Sequence, residues 1–124
     1  QIYRNDVSDL QAGATLVNDT IDWTKGNFAI GATPSAGFKL TGDIADLYIN
    51  LATSLDLSVV ANRRKFIDAA GKPVDLGPDG SWVTGSAPAV FLSGATASWE
   101  TNKGAGGGFT ENGALTDGSS SPSS

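Results

Sequence analysis

Hydrophobic and polar positions alternate in short runs along this chain, and Gly, Ser, Thr or Asn interrupts each run before it lengthens. Ile2 to Arg4 reads as a strand, with "NDVSDLQAG" as the turn after it. Ala14 to Asp19 is a short apolar piece closed by Asn18 and Asp19. From Thr20 to Thr33, Ile21 and Trp23 alternate with Asp22 and Thr24. Lys25, Gly26 and Asn27 then supply a turn, and Phe28 and Ile30 resume the alternation, a pattern that predicts a hairpin. Phe38 to Ala52 is the longest strand candidate, keeping period two through Leu47, Ile49 and Leu51. A helical reading exists, because Ile44, Leu47, Tyr48 and Leu51 also match a 3.6 spacing. Gly42 and the aromatic and β-branched content favour the strand. "AVFLSG", Ala89 to Gly94, is a further strand.

One stretch departs from this period. In "SVVANRRKFIDAAGKPVDLG", Val59 and Phe66 are seven apart, as are Val60 and Ile67, so both pairs share one helical face. Asp56 or Ser58 can cap the start, and Gly71 and Pro73 end the run. The pattern predicts one short α-helix over Ser58 to Asp68. Gly71 to Pro88 reads as successive turns with Pro78, Asp79 and Gly80 at one of them. Gly94 to Gly108 reads as a flexible loop carrying Trp99. Its "GAGGG" lacks the Gly-Lys-Ser/Thr ending and the following helix of a phosphate loop, and reads as a hinge. "FTENGALTDG" predicts a last strand or hairpin around Asn112 and Gly113. "SSSPSS" has no apolar residue and reads as disorder or linker. Composition shifts near Ser93 and Gly94, which divides the chain into 1–94 and a Gly/Ser-rich appendage, 95–124.

Composition narrows the function classes. The 124 residues suffice for one domain. The net charge of −5 gives the wrong field for phosphates, so nucleic acid is not an expected partner. No apolar run approaches the roughly 20 residues of a membrane span. The chain has no Cys and no His, which removes disulfides, the commonest proton shuttle near neutral pH and the usual zinc ligands. It also has no Met and starts at Gln1. The expectation is a piece of something longer.

The order of these pieces is specific: "GDIADLYINL" (Gly42 to Leu51), "LSVVANRRKF" (Leu57 to Phe66), "GKPVDLGPDGS" (Gly71 to Ser81), then "VFLSG" and "NKGAGGGFT". It resembles the C-terminal portion of concanavalin A-like, laminin-G-like jelly-roll domains of tailed-bacteriophage structural proteins. The resemblance covers Gln1 to Gly94 and rests mainly on the helix-and-turn motif. It implies an all-β antiparallel jelly roll or β-sandwich with one short α-helix and a Gly/Ser-rich tail. A full domain of that kind is longer than this chain. The first strands would then come from another chain or from residues outside this sequence. The implied function is a non-enzymatic module of the virion surface, in a tail fibre, spike, collar or capsid decoration. Its partners would be other virion proteins or copies of itself in a homo-oligomer. The alternative is a carbohydrate-binding module for host glycans, and a weaker one a glycan hydrolase.

Candidate chemistry is sparse. Arg63, Arg64 and Lys65 are three of the eight basic residues. They form either an anion or partner patch, or a clasp in which Arg63, Arg64 and Phe66 tie the helix to the sheet through acids such as Asp43, Asp56 or Asp68. Asp75 and Asp79 suggest a Ca2+ site, since calcium needs converging oxygens. The EF-hand spacing from Asp75 is only half met, with Gly77 and Ser86 at its third and twelfth positions. The competing reading is a Pro-Asp-Gly turn whose Asp side chains accept backbone N–H groups. No cofactor is expected. Asp43 and Asp46 are three apart, which on a strand sends them to opposite faces and argues against paired carboxylates. Trp99, Trp82 and Tyr48 can stack on sugar rings, with Trp99 expected to be the most exposed, or can be core and turn-plugging aromatics.

Overall fold

The computed structural model describes residues 2–4, 6–10, 12–13, 28–35 and 37–118. The apolar piece Ala14 to Asp19, most of the Thr20 to Thr33 hairpin with Trp23, and the Ser119 to Ser124 tail lie outside the described residues. The chain divides into two compact units, Gln1–Leu10 with Ile44–Ser124, and Gln11–Asp43. The described residues are mostly turn and coil, with short antiparallel two-stranded sheets and one short helix. A jelly roll is not among these elements.

In the first unit, β1 (Tyr3–Arg4) pairs with β2 (Val7–Ser8), Tyr3 opposite Ser8 and Arg4 opposite Val7. The segment after Arg4 is therefore a hairpin return and not only a turn. Two residues connect the strands. One is Asp6, at φ 66°, in the left-handed region that Asp tolerates better than bulkier residues.

The second sheet carries the core. β3 (Leu47–Ile49) pairs with β4 (Val90–Leu92) in the register Leu47 to Leu92, Tyr48 to Phe91 and Ile49 to Val90. Period two prevails over the helical reading here, but the strand is far shorter than Phe38 to Ala52. Its partner is bounded by Pro88, which has no N–H, and by Gly94 at φ 96°. Val83, Phe91 and Leu92 are the buried apolar residues among those described. Gly80 lies under Pro88 and Phe91, where a Cβ would come 3.0 Å from the proline ring. Its φ of 76° also demands glycine, so close approach and backbone conformation select the same residue.

Helix α1 is Val60–Arg63, shorter than predicted. Neither Asp56 nor Ser58 caps it. The Asp56 carboxylate instead accepts the Ser58 amide (2.9 Å) and hydroxyl (2.7 Å), ordering the turn ahead of the helix. The helix stops because the next residues find other partners. Ile67 bridges Pro73, the Val74 amide donates to Phe66 (3.0 Å), and the Asp68 amide donates to Lys72 (2.8 Å). Asp68 Oδ1 closes this small hairpin by accepting the Ala70 and Lys72 amides, and Gly71 turns it at φ 85°. The predicted apolar face does not form. Val59 and Val60 are exposed, while Phe66 and Ile67 are half-buried beyond the helix end.

The glycine-rich segment is pinned to β4. The amides of Lys103, Ala105 and Gly106 donate to Phe91, Pro88 and Ala89 at 2.9, 2.8 and 3.0 Å. The Asn102 carboxamide accepts the Phe91 and Gly104 amides and donates to Ala89 and Gly107. A Cβ on Gly104 or Gly106 would sit 2.5 Å from a β4-side carbonyl oxygen. The hinge reading is therefore corrected. No strand forms over Phe109 to Gly118, so the predicted last hairpin is absent there too.

In the second unit, Thr33 closes a small loop by donating its amide and hydroxyl to Gly37, and the Leu40 amide reaches Gly31 at 2.7 Å. Phe38, at φ 47°, is 96% exposed.

Candidate functional site

The basic cluster sits where α1 meets the N-terminal hairpin. Arg63 Nε donates to Asp6 Oδ1, and Arg64 Nη2 lies 2.6 Å from Asp6 Oδ2. Arg63 also donates to the carbonyls of Leu57 (2.7 Å) and Ser58 (3.1 Å), and its guanidinium covers the Tyr3 ring at 4.7 Å. Lys65 Nζ donates to the Val83 carbonyl at 2.6 Å. Through Asp6 the cluster clasps the N-terminal hairpin. Asp43, the acid expected here, is exposed and belongs to the other unit. The Arg64 guanidinium, and after it that of Arg63, holds the Asp6 carboxyl below its ordinary value of 3.8. Arg64 Nη1 is buried with no hydrogen-bond partner among the described residues.

Next to the clasp, Phe66 joins an aromatic cluster. Tyr48 meets Phe66 edge to face at 5.5 Å and Phe91 at 6.3 Å. Tyr48 and Phe66 also line a cavity of about 230 Å³, shared with Asn50, Thr53, Leu55 and Thr84. No charged side chain lines it. Asn50 organises the polar rim. Its Nδ2 donates to the Tyr48 hydroxyl (3.3 Å) and Thr84 Oγ1 (3.2 Å), and its Oδ1 accepts the Ala52 and Thr53 amides.

The other predicted residues fall elsewhere. Trp82 is the more exposed tryptophan, at 66%, and its indole lies against Gly77, where a Cβ would stand 2.7 Å from the ring. Trp99, expected to be the most exposed, is half-buried, and its Nε1 donates to the Ala45 carbonyl at 2.7 Å. Asp75 Oδ1 accepts the Gly77 amide, and Asp79 Oδ1 accepts the Ser81 amide. The Ser81 hydroxyl and amide lower the Asp79 carboxyl from its ordinary value. Among the described residues, no group of three or more His, Cys, Asp or Glu is placed to hold a metal ion. No helix among them is long and apolar enough to cross a membrane.

Sequence reasoning missed Asp6, Asn50 and Asn102. Asp6 carried a signal, since Asn-Asp between two β-prone pairs marks a hairpin turn. Asn50 and Asn102 carried none, because the partners that give them their roles, Thr84 for the first and Phe91 and Ala89 for the second, lie beyond a local window. Compared with protein-family models, with curated proteins and with solved structures, the chain matches none.

Proposed function

We propose that the chain is a non-enzymatic structural and interaction module of a bacteriophage particle, displayed on the virion surface and completed by other virion proteins or by copies of itself. The observation that carries the reading is the imbalance between core and surface. Val83, Phe91 and Leu92 are buried, whereas Leu51, Val59, Val60, Phe38 and Leu40 are each more than half exposed or close to it. Exposed apolar side chains at this density mark surfaces that another chain covers. β3 has no second strand neighbour among the described residues, and an open edge of this kind invites pairing. On this reading β3 and β4 are part of a two-sheet sandwich of the concanavalin A-like kind. The virion assignment rests on the motif at Leu57 to Phe66 and Gly71 to Ser81. Sedimentation and native mass spectrometry test the assembly. A defined oligomer at micromolar concentration is expected, and a monomer that melts cooperatively on its own overturns it.

The cavity beside Tyr48 favours carbohydrate binding as a second reading. Aromatic and aliphatic walls with an uncharged amide and hydroxyl rim suit a neutral polyhydroxylated ring. Its volume of about 230 Å³ is below the roughly 300–1,000 Å³ of drug-sized sites, so it would take one small ring. Glycan-array binding lost in Tyr48→Ala and retained in Trp99→Phe would support it. No binding to any neutral glycan removes it.

A further inference from the structure

Asn112 precedes Gly113, and this is the one Asn-Gly step in the sequence. The other described asparagines are held and are followed by residues with side chains. The Asn50 carboxamide is shared among Tyr48, Thr84, Ala52 and Thr53. Asn62 Nδ2 donates to the Asp56 carbonyl at 2.9 Å, and Asn102 is fully engaged along β4. Asn112 and Gly113 are exposed coil, and the hydrogen bonds of the described residues include none from the Asn112 carboxamide. Gly113 sits at φ 103° with no atom within 4 Å of where a Cβ would be.

We infer that Asn112 is a spontaneous deamidation and isomerisation site whose co-reactant is water. The Gly113 amide nitrogen loses its proton to water and attacks Asn112 Cγ. The bond from Cγ to the side-chain nitrogen breaks, and ammonia leaves with that proton. The five-membered succinimide so formed adds water at either carbonyl and opens to aspartate or isoaspartate. Nothing is oxidised or reduced. Glycine is the favourable follower because no Cβ hinders the attacking nitrogen. Exposure supplies the base and the hydrolytic water. The two Asp-Gly steps among the described residues could form the same ring, but their carboxylates are engaged. Asp79 accepts the Ser81 amide ahead of a buried Gly80, and Asp117 accepts the Thr96 hydroxyl.

The product changes this surface in two ways. The net charge of −5 becomes more negative by one unit. Isoaspartate also inserts a methylene into the main chain between Glu111 and Leu115. Glu111 Oε1 accepts the Leu115 amide across that span at 2.7 Å, and the longer chain breaks the loop's closure.

The test is a time course on the full chain at mildly alkaline pH, read by tryptic peptide mapping. No Lys or Arg follows Lys103, so trypsin releases Gly104 to Ser124 as one peptide, in which Asn112 is the only amide side chain. That peptide is expected to gain about 1 Da, the exchange of –NH2 for –OH, and to split into aspartate and isoaspartate forms. The Asn102-bearing peptide ending at Lys103 stays unchanged over the same period. The folded chain should react within about tenfold of a free Thr110–Thr116 peptide, as exposed coil opens at almost no cost. Asn112→Gln removes the gain, and Gly113→Val slows it. A Gly104–Ser124 peptide that stays unmodified while the free peptide reacts overturns the proposal. So does a faster gain at Asn102.

Discussion

The side chain of Asn102 stands in for a strand neighbour of Phe91. Its Oδ1 accepts the Phe91 amide at 2.9 Å, while the Lys103 amide returns a bond to the Phe91 carbonyl at the same distance. One carboxamide thus closes the far edge of β4 and holds the glycine-rich strip in place. Asn102→Ala leaves the Phe91 amide without its acceptor, at a cost of about 1–3 kcal/mol by urea denaturation. Asn102→Asp keeps an acceptor for the Phe91 amide but sets a carboxylate oxygen against the Ala89 and Gly107 carbonyls, so it too is expected to destabilise. Equal stability of Asn102→Ala and the parent chain would refute this role.

The glycines of the same strip are not equivalent. Gly104→Ala and Gly106→Ala each place a Cβ 2.5 Å from a carbonyl oxygen, so the strip must detach locally. Gly107→Ala and Gly108→Ala meet nothing within 4 Å. Hydrogen exchange of the Lys103, Ala105 and Gly106 amides should accelerate in the first pair only. Acceleration in all four variants would return the segment to the status of a hinge.

Buried and exposed valines and leucines separate folding from association. Leu92, 1% exposed, should lose about 2–5 kcal/mol of folding stability as Leu92→Ala. Val60, 52% exposed, should change folding stability by less than about 0.5 kcal/mol as Val60→Ala. If a partner covers these exposed side chains, the same Val60→Ala variant shifts the sedimentation profile toward smaller species. An unchanged profile in a triple Leu51, Val59, Val60→Ala variant argues that they lie outside any interface.

Asp6 makes the clasp sensitive to acid. Its folded pKa is depressed below 3.8 by Arg64 and Arg63, so its contribution is fully present above that value and is lost as pH falls through the folded pKa. Asp79, lowered by Ser81, loses its contribution in the same direction. The urea midpoint should therefore fall as pH is lowered from about 5 to about 2. Asp6→Asn should flatten that fall and be less stable than the parent near neutral pH. Added salt should weaken the difference, because the pair is partly open to solvent. A parallel fall in both proteins would remove Asp6 from the acid response.

Particular residues show what was legible. Period two at Leu47, Ile49 and the "AVFLSG" run placed β3 and β4, and Asp75 and Asp79 formed the turn contacts that their Pro and Gly neighbours suggest. Phe66 and Ile67 fit the helical face by spacing, so the pattern predicts a longer helix than Val60–Arg63. The competing bridge from Ile67 to Pro73 depends on a turn closed by Asp68, which spacing does not register. The glycine-rich neighbourhood of Trp99 predicts exposure, yet its indole N–H reaches the Ala45 carbonyl far along the chain.

Short-range pattern by itself determined that Leu47–Ile49 and Val90–Leu92 are strands, that one brief helix is present and where turns fall, because each follows from dihedral preference and local hydrogen bonding within a few residues, whereas the pairing of the two strands was a tertiary choice. The tertiary structure alone decided that Asp6 is the acid held by Arg63 and Arg64, that Asn102 seals β4, and that Asn50 frames a cavity beside Tyr48. The contacts of Arg63 with Asp6, of Asn102 with Ala89 and of Asn50 with Thr84 join residues distant in sequence. Their choice depends on which backbone donors and charges remain unpaired after the chain has closed, and no local window holds that information.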